Sequence, residues 1–291
     1  MTTIATHTLE VPGATLTYDV RGPLPPAAGR PPLLLVGQPM DAGGFGTLAS
    51  HFPDRTVVTY DPRGLGRSTR ADGEAAHRPE VQAEDLHRLI AELGAGPVEL
   101  FGSSGGAVTA LALVAAYPDD VLTVVAHEPP VLGVLPDAEA ATAAERRVSD
   151  TYRDRGWGAG MAAFVEMTSW QGEFTEEFGR EPADPAAFGM PAADDGGRDD
   201  PLLSGRSAPV TGYLPDVAAL AAAPTRVVVA AGIESQGILT WRASEAIARA
   251  LGQDLVVFPS NHGGFLGDEY GMPGQPEAFA ARLREVLAGA A

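Results

Sequence analysis

The chain has 291 residues, of which 45% are apolar, so it is long enough for one large domain or for a core that carries an inserted subdomain. Its formal net charge of −18 at pH 7 disfavours nucleic acid and anionic membranes as partners, because both repel an acidic surface. The absence of cysteine excludes disulfides, thiolate metal sites and a cysteine nucleophile.

The N-terminal residues give no targeting signal. No basic segment followed by an apolar run stands there, so we expect no signal peptide. No apolar stretch along the chain reaches the ~18 residues that a membrane helix needs. We therefore expect a cytoplasmic protein.

Strand and helix patterns alternate over the first 130 residues and again after residue 220. The run Leu33–Val36 is apolar at every position, as expected of a parallel strand that is buried on both faces. Helical spacing over 80–93 ends at Gly94. The alternation predicts an α/β fold with a mostly parallel central sheet and helices on both faces. Further strands are expected over 6–21 (two strands around a Pro12-Gly13 turn), 56–60, 121–126, 225–231 and 255–258, and further helices near 45–52, 240–251 and 276–288.

The alternation breaks between Pro129 and about Ala223. Ala-rich helical segments over 138–149 and 158–168 are interleaved there with acidic, Gly- and Pro-rich pieces. We therefore divide the chain into a core, residues 1–130 and 220–291, and a helical cap, residues 131–219, which is inserted after the strand at 121–126. The acidic run at 194–200 lacks the spaced ligands of a calcium loop, and no metal site is predicted.

The stretch from Val98 to Leu113 joins an apolar strand to a helix-length Ala/Val/Leu run through Gly102-Ser103-Ser104-Gly105-Gly106. In a strand–turn–helix context, Gly-x-Ser-x-Gly indicates a nucleophile elbow, with the serine hydroxyl exposed at the tip of the turn. The alternative is a turn of small residues that only joins the two elements. Ser103 is a rival nucleophile, but Phe101 stands two residues before it, where the motif requires glycine. Ser104 is therefore the predicted nucleophile.

Two further motifs accompany the elbow, in the order found in one fold superfamily. The first motif follows the predicted strand at 56–60 and reads Asp61-Pro62-Arg63-Gly64-x-Gly66-x-Ser68. The second follows the last predicted strand and reads Asn261-His262-Gly263-Gly264. With these motifs the chain resembles the α/β-hydrolase superfamily, in its capped serine esterase and lactonase branch, over its two core parts. That resemblance implies His262 as the general base, because the fold places its histidine in this loop.

The acid that would orient His262 has two candidates. The family's usual acid lies three residues after the glycine that follows the 225–231 strand, which is Gly232 here. Ser235 stands at the acid's position, and Glu234 lies one residue earlier. A subset of the fold takes its acid from the end of the strand after the elbow helix, where this chain has Glu128. The run from Gly102 to Pro130 is similar to zearalenone-lactonase-type enzymes, which use a glutamate there. We favour Glu128 and keep Glu234 as the alternative.

The tetrahedral oxyanion of acyl transfer needs two fixed N–H donors. The elbow motif implies the amide of Gly105, directly after the nucleophile. The alignment of Gly37-Gln38-Pro39 with the family's Gly-x-Pro loop implies the amide of Gln38 as the second donor, because Pro39 has no N–H. Met40, next in that loop, is expected to line the substrate pocket.

The resulting prediction is a cofactor-independent serine hydrolase that cleaves a carboxylic ester or lactone through an acyl-enzyme intermediate. Aromatic residues of the cap, with Trp157 and Trp170 as candidates for the pocket wall, indicate a fairly large apolar small molecule as the substrate. Two alternatives stay open: an arylesterase or perhydrolase with the same residues, and a cyclase or metabolite binder without net hydrolysis. The expected partner is the small-molecule substrate, and the formation of a homodimer is left open.

Overall fold

The computed structural model describes residues 4–26, 29–271 and 273–289, and within them nine strands form one sheet. The strands are β1 (Ile4–Val11), β2 (Ala14–Arg21), β3 (Leu33–Val36), β4 (Val57–Tyr60), β5 (Thr69–Arg70), β6 (Val98–Ser103), β7 (Val121–His127), β8 (Arg226–Gly232) and β9 (Val256–Phe258). Their order is β1-β2-β4-β3-β6-β7-β8-β9, with β5 paired to β2. The pairs from β4 through β9 are parallel, whereas β2 pairs antiparallel with β1, β4 and β5.

Helices cover both faces of the sheet, which confirms the fold predicted from the sequence. They are α1 (Gly46–Ser50), α2 (Pro79–Leu93), α3 (Gly105–Ala116), α4 (Ala138–Arg155), α5 (Trp157–Ser169), α6 (Ala208–Thr211), α7 (Val217–Ala222), α8 (Leu239–Ala250) and α9 (Pro276–Leu287). Among the described residues, no helix is both long enough and apolar enough to cross a membrane.

The central strand β3 shows why the chain forms two apolar layers. Successive side chains of a strand point to opposite faces of its sheet. Leu34 and Val36 accordingly join the cluster that contains α2 and α3, whereas Leu33 and Leu35 join the cluster that contains α1 and α9. All four side chains are fully buried, and each buried leucine stabilises the fold by roughly 1.5–3 kcal/mol.

The parallel strands bring distant parts of the chain to one edge. Parallel neighbours end at the same edge of a sheet, and in open α/β sheets ligands bind outside these carboxyl ends. Gln38 follows β3, Ser104 follows β6 and Glu128 follows β7. Three of the predicted site residues therefore meet at this edge because of the strand order alone.

Two glycines of the elbow allow α3 to approach the sheet closely. A Cβ atom on Gly106 would lie 2.2 Å from the backbone oxygen of Val36 in β3. A Cβ atom on Gly102 would lie 2.7 Å from the backbone oxygen of Gly106. Both distances are far below a van der Waals contact, so glycine is required at these positions by packing.

The segment between β7 and β8 builds a third apolar cluster, above the carboxyl edge. Helices α4 and α5 supply half of its side chains, and Leu239 and Ala243 of α8 join it from the sheet side. Asp137 fixes the start of α4, because its carboxylate forms an ion pair with Arg242 of α8 and accepts a 2.7 Å hydrogen bond from the Phe174 amide. The segment is thereby bound to the layer that carries the sheet.

Replacement of Gly106 by alanine tests this close approach. We expect Gly106→Ala to lower the free energy of unfolding by at least about 1–3 kcal/mol, because a backbone oxygen faces the new methyl group and cannot rotate away. Gly46→Ala is the matched control, since its Cβ atom would meet only Glu269 Oε1 at 3.6 Å. Urea unfolding followed by circular dichroism measures both; equal stability of the two variants would contradict the prediction.

Candidate active site

Ser104 lies at the tip of the turn between β6 and α3. Its backbone has φ 57° and ψ −128°, a region that non-glycine residues rarely adopt. The turn is held by hydrogen bonds from the Ser104 amide to His127 O at 2.9 Å and from the Ala107 amide to Ser104 O at 2.9 Å. Ser104 lines a cavity, whereas the rival Ser103 is 2% exposed within the sheet. The geometry therefore presents Ser104 as the accessible hydroxyl.

His262 lies in the loop after β9 and contacts Glu128 at the end of β7. Its Nδ1 is 2.7 Å from Glu128 Oε2, a hydrogen bond between residues 134 positions apart. A carboxylate only accepts hydrogen bonds, so Nδ1 carries the proton and Nε2 is left as the acceptor. The ring lines the same cavity as Ser104. Within the described residues no hydrogen bond joins Ser104 Oγ to this ring; in many enzymes such a bond tightens only with substrate.

Glu128 is fully buried, and its oxygens are satisfied by three donors. The amide of Gly232 donates to Oε1 at 2.9 Å, and the Thr240 hydroxyl donates to Oε2 at 2.6 Å, beside the His262 ring. Burial alone would raise the pKa of Glu128, but the hydrogen bonds that it accepts from His262 and Thr240 outweigh this effect and lower the pKa below its usual range. Glu128 is therefore ionised at neutral pH.

Glu234, the alternative acid, lies away from the imidazole in this structure. Its side chain is exposed and accepts hydrogen bonds of 3.2–3.4 Å from Ser260, Asn261 and Gln275. These contacts tie it to the two residues that precede His262 and to Gln275, directly before α9. The structure thus brings Glu128, and not Glu234, to the His262 ring.

The predicted oxyanion loop is supported by a buried polar chain. Gln38 is 2% exposed, and its side-chain oxygen accepts a 3.0 Å hydrogen bond from Gln82 of α2, which in turn accepts one of 2.9 Å from Thr109 of α3. Gly105 is the first residue of α3, so its N–H has no acceptor within the helix. Both Gln38 and Gly105 line the cavity beside Ser104.

The cavity measures about 490 Å³, which is within the range for pockets that bind small molecules. It lies between the carboxyl edge of the sheet and helices α4, α5 and α6. Its wall is mostly apolar, and helices α4, α5 and α6 contribute hydroxyl groups and one carboxylate to it. The apolar side chains that line it include Leu132, Val148, Phe164, Met167, Leu202, Leu203, Val210, Ile238 and Leu239.

The three side chains predicted for the pocket wall are not among the residues that line this cavity. Met40 packs against the apolar cluster of α1 and α9. The Trp157 indole donates a 3.0 Å hydrogen bond to Asp200, and the Trp170 indole donates one of 3.0 Å to Glu173 O. Both tryptophans pack in the cluster of α4 and α5. Their size and aromaticity indicated burial but carried no information about the direction of each ring.

Sequence reasoning also missed the residues that hold the acid and the oxyanion loop. Thr240, in the first turn of α8, bonds to a carboxylate 112 positions away. Gln82 and Thr109 are polar residues on buried helix faces, and this exception to the apolar pattern was the only available signal. Their partners become visible only in three dimensions.

His127 precedes Glu128 but points into the core. The ring is fully buried, and its centroid lies 5.1 Å from that of Phe279 and 5.9 Å from that of Phe101. Neither ring nitrogen has a hydrogen-bond partner among the described residues. Burial lowers the pKa of His127 from its usual 6.5 to about 4, so the ring is neutral at neutral pH.

Comparisons with known proteins agree with this architecture. The family model described as "alpha/beta hydrolase fold" matches residues 33–155. "Uncharacterized hydrolase YraK" of Bacillus subtilis (strain 168) is 31% identical over 90% of this chain and 91% of its own. A thermophilic esterase from Thermogutta terrifontis is 25% identical with a TM-score of 0.65, and 99% of each chain is covered. The enol-lactonase from Burkholderia xenovorans LB400, 17% identical with a TM-score of 0.64 over 97% of this chain and 100% of its own, shares the fold.

The buried His127 predicts a loss of stability in acid. Because the pKa is about 4 in the folded state and 6.5 is usual in an unfolded chain, the unfolded state takes up the proton first as the pH falls. The free energy of unfolding therefore decreases between about pH 6.5 and 4, with roughly 3 kcal/mol from this ring. In His127→Leu, which conserves the volume, we expect a correspondingly shallower decrease. Urea titrations at several pH values compare the two proteins, and superimposable pH profiles would contradict the prediction.

Proposed function

The chain belongs to the α/β-hydrolase fold family, and on that premise we propose that it is a serine hydrolase which cleaves a carboxylic ester or lactone through an acyl-enzyme. The observation that carries the proposal is the 2.7 Å hydrogen bond from His262 Nδ1 to Glu128 Oε2, at a cavity that Ser104 also lines. The thermophilic esterase, 25% identical, supports the ester class. With Nδ1 engaged by the carboxylate, His262 Nε2 is the base available to the serine.

Acylation starts when His262 Nε2 takes the proton of Ser104 Oγ as this oxygen attacks the substrate carbonyl carbon. The imidazolium that forms is stabilised by Glu128, whose charge is already fixed by three donors. The carbonyl oxygen becomes an oxyanion, and the N–H groups of Gly105 and Gln38 are the proposed donors to it. The intermediate collapses, the C–O bond to the leaving alkoxide breaks, and His262 returns its proton to that alkoxide.

Deacylation repeats these steps with water as the nucleophile. His262 removes a proton from the water as its oxygen attacks the acyl carbon, and the same two N–H groups receive the charge. Collapse of this second intermediate breaks the bond to Ser104 Oγ, which regains the proton from His262. The products are a carboxylic acid and an alcohol, or one hydroxy acid in the case of a lactone.

The cavity supports a fairly large apolar substrate. A volume of about 490 Å³ with mostly apolar walls exceeds what an acetate ester needs and fits a medium-sized acyl or lactone skeleton. Much of the wall comes from α4, α5 and α6. We propose that residues 131–219 act as the cap that selects the substrate.

Replacement of Ser104 tests the nucleophile. We expect Ser104→Ala to lower kcat for p-nitrophenyl butyrate by at least about 10⁴-fold and to abolish labelling by a fluorophosphonate, because it removes the hydroxyl proposed to form the acyl-enzyme. Ser103→Ala is the matched control and keeps both properties, since that side chain is buried. Labelling of Ser104 in a protein that turns over no ester would favour the binder or cyclase instead.

Replacement of each candidate acid tests the role of Glu128. We expect Glu128→Gln to lower kcat by about 10⁴-fold, as the loss of the charge removes the group that holds the imidazole tautomer. Glu234→Gln keeps most of the activity, because its contacts only support the loop. Thermal unfolding of both variants separates misfolding from lost chemistry. A larger loss in Glu234→Gln than in Glu128→Gln would assign the acid to Glu234.

A further inference from the structure

Glu145 is the only acidic residue that lines the active-site cavity in the described part of the chain. It lies on α4, is half-buried, and accepts a 2.5 Å hydrogen bond at Oε1 from the Thr211 hydroxyl of α6. No cationic side chain within the described residues forms an ion pair with it. Buried carboxylates in proteins are ordinarily paired with a cation or with several donors. Within the described residues Glu145 accepts a side-chain hydrogen bond from one donor, so its oxygens can accept further hydrogen bonds.

The hydroxyl groups around Glu145 present acceptors to the cavity. Thr142, Glu145 and Ser149 share one face of α4, because they are spaced by three and four residues. Thr142 donates its proton to Ala138 O at 2.8 Å, and Ser149 donates to Arg146 O at 2.9 Å. A hydroxyl whose proton is engaged offers only lone pairs to a ligand.

The other hydroxyls that the segment between β7 and β8 contributes to the cavity also donate their protons to acceptors of the protein. Ser207 donates to Pro201 O at 3.1 Å, and Thr168 donates to Phe164 O at 2.9 Å. The proton of Thr211 is engaged by Glu145 itself. This side of the cavity is therefore a set of acceptors around one carboxylate. A primary ammonium group, with three donors and no acceptor, is complementary to it.

Charge favours the same ligand. Burial raises the pKa of Glu145, and only the Thr211 hydrogen bond opposes this, so a cation placed beside the carboxylate would stabilise its ionised form. The net charge of −18 also attracts cationic molecules to the protein. Within the described residues, Arg146 is the one arginine that lines the cavity; it is exposed, and it also borders two outer grooves. Solvent screens its charge there.

We propose that Glu145 selects substrates that carry an amino group, which it binds as an ammonium ion while the ester bond lies at Ser104. This inference rests on the proposed function and names its substrate class as amino-substituted esters or lactones. The carboxylate and the hydroxyls of Thr142 and Ser149 accept the ammonium protons. The apolar wall between the two ends of the cavity accommodates the connecting hydrocarbon.

Inhibition and turnover measure this preference. Hexylamine, hexanol and hexanoate are compared as competitive inhibitors of p-nitrophenyl butyrate hydrolysis, and p-nitrophenyl hexanoate is compared with its ω-amino analogue as substrate. We expect the ammonium form to be preferred over the neutral form by about tenfold in the wild type, since hydrogen bonds to charged groups are the stronger ones. Glu145→Gln reduces this ratio to near one, and Glu139→Gln, an exposed position of the same helix outside the cavity, leaves it unchanged.

Each outcome has a distinct meaning. A wild-type protein without any p-nitrophenyl ester turnover overturns the proposed function, and hexylamine binding is then measured by calorimetry on the wild type and on Glu145→Gln. Turnover with no preference for the amine, or a preference that survives in Glu145→Gln, overturns the Glu145 assignment alone. Tighter inhibition by hexanoate that is lost in Arg146→Ala also overturns it, because the subsite then recognises an anion.

Discussion

The hydrogen bond between Glu128 and His262 is the interaction on which the site depends. A carboxylate that is fully buried is strongly destabilising without partners, so the fold must hold its donors in place. Those donors come from three places: the end of β8 at Gly232, the first turn of α8 at Thr240, and the loop after β9 at His262. The long insertion between β7 and β8 begins directly after Glu128. The sheet, helix α8 and the loop that carries His262 are thus connected through one side chain.

Backbone strain is concentrated at the same place. Among the described residues, Ser104, Glu128 and Ser260 are the three non-glycine positions with positive φ, at 57°, 51° and 66°. Each lies directly after a strand at the carboxyl edge or in the loop that carries His262. Such conformations cost on the order of 1–3 kcal/mol each and persist only where packing enforces them. The tight contact of α3 with β3 and β6 at Gly106 and Gly102 supplies that enforcement at Ser104.

The parts of the fold that the sequence predicted well are those set by local pattern. Leu33–Val36 has the predicted bounds because burial on both faces leaves no polar residue within the strand. The Asp61–Ser68 motif follows β4, as its place after a predicted strand indicated, and Arg63 within it donates hydrogen bonds of 2.7 and 2.5 Å to Asp85 of α2. The local pattern does not indicate where each side chain points or which distant residue it contacts. The indoles of Trp157 and Trp170 bond to Asp200 and Glu173 and do not line the cavity, and Thr240 gives no local sign of its distant acceptor.

Glu128 and Glu145 show how environment sets the character of one residue type. Both carboxyl groups are withdrawn from solvent, which raises the pKa of each. At Glu128 an imidazole, a hydroxyl and an amide reverse that effect, whereas at Glu145 one hydroxyl does not. The first carboxylate is fully satisfied by the protein and can serve as a fixed negative charge beside a reacting imidazole. The second accepts one hydrogen bond from the described residues and lines the cavity, where it can accept further hydrogen bonds from a ligand. The same cavity thus combines a carboxylate fixed by the protein with one that is available to a ligand, and the second is the one that we propose distinguishes between ligands.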